Sequence, residues 1–496
     1  MKVNIKAKNK VISLETQDSD ILTTLAKHSL FVSAYCSGRG LCGKCKIRYL
    51  SSAPSPTKKE ESILSNNELK NGFRLACLHK FKENDYIEVF ETKPVFSEDK
   101  GVVCTDDNDN YIAIDIGTTT ISLSLIKNKK QLKTTRLLNP QVSFGGDVMT
   151  RIAKREKNSQ QILTLILNKA IKDAIDKLIA IDNVKEVKEI VVCANPTMLS
   201  YFLGIDTKPI GEYPYTPPFK GSKKAKWNGF DIYIPPIISA FIGSDITAGL
   251  INLDTSDDFL FIDIGTNCEF ILKRNDSLYS ASIPGGPALE GVGIDYGITA
   301  QEGAIDKVEF DRTLKCHTIG NKKAEGITGS GLISAIALLN RFEIIDKSGK
   351  IKEAWEVEDI PFNLLNRIKK EGFFLENGIF LTQNSIREFQ LVKGALNAGI
   401  DILLKKTNSN INDIEKIYIS GGFTKSLTRE DIVYSNLLNI DKEFVFLGNS
   451  ALKGGLKLFC KKNRNYLEGV SKKIEYIEIA NQNNFQERYL KYMDFV

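Results

Sequence analysis

Three cysteines stand within ten residues in "AYCSGRGLCGKCKIRYL" (34–50), spaced Cys36-x5-Cys42-x2-Cys45, and a fourth, Cys77, follows in "NGFRLACLHK". Thiols in such a pattern can hold a structural zinc, work as a redox dithiol through Cys42-x2-Cys45, or hold an iron–sulfur cluster. Structural zinc sites usually pair their ligands as two short knuckles, whereas this chain supplies three clustered thiols and one distant one. Gly38, Gly40 and Gly43 give the loop access to positive φ, which turns backbone N–H groups toward sulfur. The histidines are His28, His79 and His317. His79 reads as a polar neighbour of Cys77 rather than a ligand.

A second constellation is written twice. "YIAIDIGTTTISLSLI" (111–126) and "FLFIDIGTNCEFILK" (259–273) both spell an apolar strand, an Asp-x-Gly-Thr turn and a second strand, with Asp115 and Asp263 148 positions apart. One such hairpin is an ordinary glycine turn; two make an internal repeat. The turns Gly117, Thr118, Thr119, Thr120 and Gly265, Thr266, Asn267 offer backbone N–H groups and hydroxyls to phosphate oxygens. Asp115 and Asp263, at the strand ends, are placed to hold hydrated Mg2+ or orient a water. Facing hairpins from two duplicated lobes can clamp a triphosphate. Glu269 and Glu290 are the carboxylates nearest these turns in sequence, readable as helpers of water activation or as surface salt bridges. "GITGSGLISAIALLNRF" places Gly329 at a helix start suited to a nucleotide, and "IEKIYISGGFTKSL" ends a strand on Gly421 and Gly422. Asn195 and Pro196 read as shaping a strand-end loop. No G-x4-G-K-[ST] loop occurs.

The elements that must position these groups follow from periodicity. Val3, Ile5 and Ala7 alternate, then Val11, Ile12 and Leu14, which predicts a hairpin. "DSDILTTLAKHSL" predicts a helix capped by Ser19 or Asp20. "KCKIRYL" and "YIEVF" add strands, and "SPTKKEESIL" between the third and fourth cysteines predicts a capped helix in an excursion of the same domain. "SEDKGVVCTDDNDN" interrupts the pattern and predicts a mobile tether. "NSIREFQLVKGALNAGI" reads as an amphipathic core helix, and "ERYLKYMDFV" as a docking helix. The predicted domains are therefore 1–95, a linker at 96–110, a first lobe at 111–250 and a second lobe at 251–496.

Composition bounds the class. With 42% hydrophobic and 26% charged residues in 496, the chain reads as a soluble protein of several domains. No apolar h-region follows Met1 and no long uncharged apolar run occurs, so neither a signal peptide nor a membrane span is expected, and the cytoplasm is the expected address. Cys104, Cys193, Cys268, Cys316 and Cys460 are isolated from one another in sequence, which fits a reducing compartment rather than a disulfide framework. Residues 1–95 carry 16 Lys and Arg against 10 Asp and Glu, matching the whole chain's net +6. Those lysines are scattered over strand positions, not set in an aromatic-laced stripe. That argues against nucleic acid and leaves a solvated surface or a docking face for an acidic protein.

The cysteine pattern resembles the [2Fe-2S] ferredoxins, with C-x4-C-x2-C and a remote cysteine in the plant type and five intervening residues in the adrenodoxin-like branch; "GFRLACL" matches the context of the fourth ligand. The repeated hairpins resemble the acetate and sugar kinase, heat-shock chaperone and actin superfamily. "NPQVSFGGDVMTRI", "VVCANPTMLSYFLGID", "YPYTPPF", "GGPALEGVGIDYGITAQEGAI" and "LTQNSIREFQLVKGALNAGI" are similar to the reductive activators of corrinoid-dependent enzymes. This resemblance covers nearly the whole chain. It implies an α+β, β-grasp ferredoxin domain followed by an α/β, two-lobed, actin-like ATPase with ribonuclease-H-like lobes. It also implies a [2Fe-2S] cluster on Cys36, Cys42, Cys45 and Cys77, ATP with Mg2+, Gly421 and Gly422 near the adenosine, and transfer of one electron to a Co(II) corrinoid on a partner protein. A low-potential electron donor and a homodimer follow from it too. The readings set against it are an activator of a non-corrinoid enzyme such as a dehydratase, and a redox-regulated small-molecule kinase.

Overall fold

The computed structural model describes the chain except residues 8, 9, 18, 19, 29, 31, 33, 35, 37, 91–94, 98, 99, 154–158, 255, 480, 481 and 483. It divides into two compact units, 1–245 with 455–464 and 246–454 with 465–496.

The first unit opens with a five-stranded sheet in the order Lys10–Glu15, Lys2–Ala7, Tyr86–Val89, Lys46–Tyr49, Phe73–Leu75. Lys2–Ala7 and Tyr86–Val89 run parallel at its centre, and the other neighbours run antiparallel. The alternation predicted for Val3, Ile5 and Ala7 buries all three against helix Ile21–Lys27. Asp20 caps that helix by accepting the Thr23 N–H at 2.7 Å; Ser19 lies outside the described residues. The excursion forms the expected helix, Lys58–Ile63, closed by a reciprocal Thr57–Glu60 capping box. This is a β-grasp domain.

A seven-stranded sheet follows, ordered Gly221–Trp227, Phe230–Ile237, Glu189–Ala194, Tyr111–Ile116, Thr120–Lys127, Lys130–Leu138, Val95–Ser97. Its core is three antiparallel strands, 111–138, extended from Tyr111–Ile116 by two parallel ones. The last strand departs from expectation, because residues 96 and 97 were assigned to a linker. Lys130–Leu138 would otherwise present unpaired backbone at the sheet edge, and Val95–Ser97 covers it in antiparallel register with Thr134–Arg136. Farther along, Thr105 bridges to Phe459. The expected tether is thus partly fastened. The β-grasp domain also rests on this lobe: Ser143 Oγ donates to Val32 O at 2.6 Å, and Ala26 joins the lobe's apolar core.

The second unit repeats the core order: Phe444–Gly448, Lys416–Ser420, Phe259–Ile264, Asn267–Arg274, Ser277–Pro284, with Ile474–Tyr476 added at the edge. Directions repeat as well. Asp115 and Asp263 therefore end equivalent central strands. Helices Gly329–Arg341 and Gln383–Lys406 pack into one core with this sheet. The C-terminal helix Phe485–Met493 docks across Gly394, where a Cβ would stand 3.0 Å from both Met493 Cγ and Tyr489 O.

Lys393 locks that dock. Its buried ammonium donates to Tyr492 O and Asp494 O, each at 2.7 Å, and lies 5.1 Å from the centre of the Phe495 ring. Burial pushes its pKa down to about 8, with Asp494 pulling the other way. Between about pH 8 and pH 10.5 the unfolded chain then binds the proton that the folded chain has released. Stability gains from this group as pH rises through that window, by roughly 3 kcal/mol in all. Melting curves of wild type and Lys393→Met should accordingly diverge in the wild type's favour between pH 8 and 10.5; parallel curves contradict this.

Candidate functional site

Around the cysteines the glycines do what the sequence requires, with φ of 79°, 66° and 65° at Gly38, Gly40 and Gly43. A Cβ at Gly40 would stand 2.7 Å from Leu78 Cδ2, and one at Gly43 would stand 2.7 Å from Ile63 Cγ2. The loop therefore lies flush against the Cys77 turn and the excursion helix. Ala76 N–H donates to Cys45 O at 2.8 Å, and Leu41 N–H donates to Cys36 Sγ at 3.4 Å. The sulfurs meet in two hydrogen-bonded pairs, Cys36 with Cys42 and Cys45 with Cys77. In each pair one thiolate is stabilised by its partner's S–H, which pulls Cys36 and Cys77 down and pushes Cys42 and Cys45 up. Among the described residues no three ligating side chains converge on a single-ion site. Two thiol pairs could offer two thiolates to each iron of a two-iron cluster.

Glu60 holds the Cys77 turn in place. It is fully buried, accepts the N–H groups of Thr57 and Leu75 at 2.8 and 2.7 Å, and has both oxygens 2.9 Å from His79 Nε2. Burial works to raise its carboxyl, but His79 and the two N–H donors prevail and hold it at about 2. His79 is thus the polar neighbour that the sequence suggested. Glu60 was not foreseen, and its signal in the sequence is the Thr57-x-x-Glu60 capping box.

On the first unit, every carbonyl of the turn after Asp115 is occupied from behind. Asn139 Nδ2 donates to Gly117 O at 2.9 Å, Arg151 Nη2 to Thr118 O at 2.6 Å, and Asn139 N–H to Thr119 O at 2.8 Å. Asn195 Nδ2 donates to the Thr118 hydroxyl at 3.2 Å. Gly117 N–H closes the turn on Thr120 O at 2.9 Å, so close that a Cβ at Gly117 would sit 2.7 Å from that oxygen. Both asparagines precede prolines, and each has a double task. Asn139 Oδ1 accepts the Gln141 N–H and Asn195 Oδ1 accepts the Met198 N–H, capping the next helical turn, which leaves their amide NH2 groups for the hairpin. Arg151, 1% exposed, also donates to Gly145 O and Gln141 Oε1. The Thr119 hydroxyl is buried without a partner, which suits an incoming phosphate oxygen. Asp115 lies on one row of the sheet with Ser122 and Arg136, and its charge counters the burial that lowers the Arg136 pKa.

On the second unit, Gly265, Thr266 and Asn267 form the matching turn, closed by Gly265 N–H on Asn267 O at 3.0 Å. Glu290 reaches back onto it. Its Oε1 accepts the Thr266 N–H at 3.0 Å and the Thr266 hydroxyl at 3.1 Å, while Oε2 is buried with no partner. It is not a surface salt bridge. Burial pushes the Asp263 carboxyl up to about 6; the Ser420 hydroxyl pulls it back and the Glu290 charge pushes it further. Glu269 stands directly opposite Asp263 in antiparallel register. Gly329 is fixed by packing: a Cβ there would lie 1.8 Å from Leu289 O, next to Glu290. Gly421, at φ 135°, would bring a Cβ within 2.6 Å of Ile264 O, while one at Gly422 meets open space. Asp263, Gly265, Thr266, Asn267, Glu269, Glu290, Gly329, Gly421 and Gly422 are thus one neighbourhood, and Asp115, Gly117, Thr118, Thr119 and Thr120 another. In the second unit the unpartnered Glu290 oxygen beside Asp263 could hold a hydrated cation, and in the first the unpartnered Thr119 hydroxyl could receive a phosphate oxygen.

Comparison with known proteins finds three family matches along the chain. Residues 3–82 match the family described as a 2Fe-2S iron–sulfur cluster binding domain, 111–257 the RACo middle region, and 257–496 the C-terminal, ASKHA domain of RACo. The chain is 30% identical over 415 residues to the corrinoid activation enzyme RamQ of Eubacterium limosum, covering 76% of this chain and 69% of that one. The chain belongs to the family of corrinoid reductive activators. A second member of that activator family, the [Co(II) methylated amine-specific corrinoid protein] reductase of Methanosarcina barkeri, is 26% identical over 436 residues, 76% of either chain. The solved structure of a reductive activator for corrinoid, iron-sulfur protein is 25% identical, covers 99% of this chain and 98% of its own, and superposes with a TM-score of 0.69. In the activator family's terms the paired cysteines lie in the cluster domain, the Asp115 hairpin in the middle region and the Asp263 neighbourhood in the ASKHA domain.

Proposed function

We propose that this chain reduces the Co(II) corrinoid of a partner protein to Co(I), one electron at a time, in a reaction that consumes ATP. The observation that carries this reading is the union, in one chain of the activator family, of a 2Fe-2S domain with duplicated phosphate hairpins. An electron carrier alone needs no ATPase, and a kinase needs no cluster. ATP becomes useful when the acceptor lies below the donor in potential, since each ~59 mV uphill costs about tenfold in a one-electron equilibrium. A bound [2Fe-2S] cluster supplies one-electron carriage, near about −400 mV in plant-type centres. Cys36, Cys42, Cys45 and Cys77 would hold that cluster, each thiol pair supplying two thiolates.

The remaining residues handle ATP. Gly117, Thr118, Thr119 and Thr120 bind phosphate oxygens from a turn that Asn139, Arg151 and Asn195 hold rigid; Gly265, Thr266 and Asn267 do the same on the second unit. Asp115 and Asp263 hold hydrated Mg2+, Glu290 Oε2 accepts a proton from the attacking water, and Glu269 supports Asp263. Gly329, Gly421 and Gly422 let backbone approach the nucleotide. We place the reaction in the cytoplasm, the address expected from the sequence, with a low-potential electron donor, and the chain in a homodimer, as the family resemblance implies. No described helix is long and apolar enough to cross a membrane.

The test is anaerobic spectroscopy of a Co(II) corrinoid protein mixed with the cluster-loaded chain and a reductant. Co(I) should accumulate with MgATP and not with a non-hydrolysable analogue. Equal Co(I) formation without ATP overturns the reading.

A further inference from the structure

Two thiols that the sequence leaves far apart meet in the first unit. The sulfurs of Cys104 and Cys460 lie within hydrogen-bonding distance of each other, and the backbone around them is fixed. Thr105 pairs with Phe459 in a parallel bridge, Cys104 N–H donates to Leu456 O at 3.1 Å, and Lys461 N–H donates to Asp106 Oδ2 at 2.9 Å. Each cysteine is the immediate chain neighbour of a residue in that bridge, Cys104 before Thr105 and Cys460 after Phe459, which keeps the two segments side by side where the thiols meet. Cys460 is buried and Cys104 half-buried, so an oxidant reaches the pair from the Cys104 side. Neither belongs to the four cluster thiols.

What the pair joins gives it meaning. Cys104 lies between the cluster domain and the middle region. Cys460 lies in Gly455–Arg464, a strap that belongs to the first unit although the chain on both sides of it belongs to the second. The strap therefore provides two of the three crossings between the units. It lies along the strands that end at Asp115 and Asn195. A Cβ at Gly455 would be 3.3 Å from Cys193 Sγ and 3.4 Å from Ala113 Cβ, the Phe459 and Tyr111 rings are 4.5 Å apart, and Arg464 pairs with both Glu189 oxygens.

We propose that Cys104 and Cys460 form a reversible disulfide that staples the strap to the linker and slows the ATPase cycle. The oxidant is a low-molecular-weight disulfide. Each protein thiol gives up one proton and one electron, one S–S bond forms in the protein, one breaks in the oxidant, and two small thiols leave. The bond removes any sliding of the strap along the strands that carry the hairpin. Burial, and then the hydrogen bond to Cys460, push the Cys104 thiol up to about 11. At neutral pH Cys104 is therefore held as the thiol, which makes its exchange with a small disulfide slow. Only the rate effect rests on the ATPase reading; the bond does not.

The full-length, cluster-loaded protein is incubated anaerobically with oxidised glutathione, its visible spectrum is checked for an intact cluster, and its peptides are mapped without reduction. A peptide joining Cys104 to Cys460 is expected, with ATP hydrolysis lowered about fivefold or more and restored by dithiothreitol. Cys104→Ser should hydrolyse ATP like the reduced wild type and ignore the oxidant, and Cys460→Ala should do the same. The proposal fails if no joined peptide forms, if the joined protein turns over at the reduced rate, or if Cys104→Ser is inhibited equally. Reduced wild type that hydrolyses no ATP at all would instead count against the ATPase reading.

Discussion

Glu290→Gln should bind MgATP about as tightly as wild type yet hydrolyse it roughly 10²–10³-fold more slowly, the range that loss of a general base costs. The two oxygens of Glu290 have separate tasks, and the substitution separates them. Oε1 accepts both donors of Thr266, and a glutamine oxygen accepts the same pair, so the turn keeps its shape. Oε2 is buried and unpartnered. It can take a proton from water, and an amide NH2 in its place cannot. Glu269→Gln is the comparison, because Glu269 is nearly buried on the strand beside Asp263; its loss should weaken Mg2+ dependence more than the hydrolysis step. Steady-state hydrolysis and the Kd of a non-hydrolysable analogue decide the matter. Hydrolysis by Glu290→Gln within twofold of wild type would falsify the assignment.

Local sequence carried the parts whose chemistry is contiguous. The glycines among the cysteines, the two Asp-x-Gly-Thr turns and the capped helix start in "SPTKKEESIL" are each spelled within ten residues. The structure shows positive φ, closed hairpins and a reciprocal cap where they were read. The repeat also carried the architecture, since one copy of the same hairpin at the head of each lobe implies the common strand order seen in both sheets.

The supports of these turns were not legible, because they come from elsewhere in the chain. Arg151 looks like any helical arginine until its guanidinium is seen buried on Thr118 O. Asn195 reads only as shaping a strand-end loop and Asn139 carries no signal of its own, yet each caps a helical turn with its amide oxygen and holds the hairpin with its amide NH2. The strap carries no motif at all. Its place in the first unit depends on Gly455 fitting over Cys193 and on Arg464 pairing with Glu189, contacts that only the folded chain brings together. The same holds for the linker, where an edge strand and a single bridge decide what the composition presented as a tether.

The second large effect should come from Cys45→Ser, which is expected to abolish both the cluster's visible absorption and Co(I) formation while ATP hydrolysis persists. Cys45 is 1% exposed and its sulfur pairs with that of Cys77, so losing it leaves one iron with a single thiolate. A serine hydroxyl is far harder to deprotonate than a thiol and is a poor ligand for this metal. The polypeptide around it has other supports. Cys45 O still accepts the Ala76 N–H, Ile47 and Leu75 stay in the core, and Glu60 still grips His79 and Leu75. The domain should therefore remain folded but lose the stability that metal binding lends to a small core, melting earlier than the loaded wild type. The hydrolytic groups lie outside this domain, so hydrolysis should stay within about threefold of wild type if gating, not chemistry, links the two activities. Taken with Glu290→Gln, which should keep the cluster and lose hydrolysis, the result separates electron carriage from ATP use. A Cys45→Ser protein that still generates Co(I) at the wild-type rate would place the electron's route elsewhere.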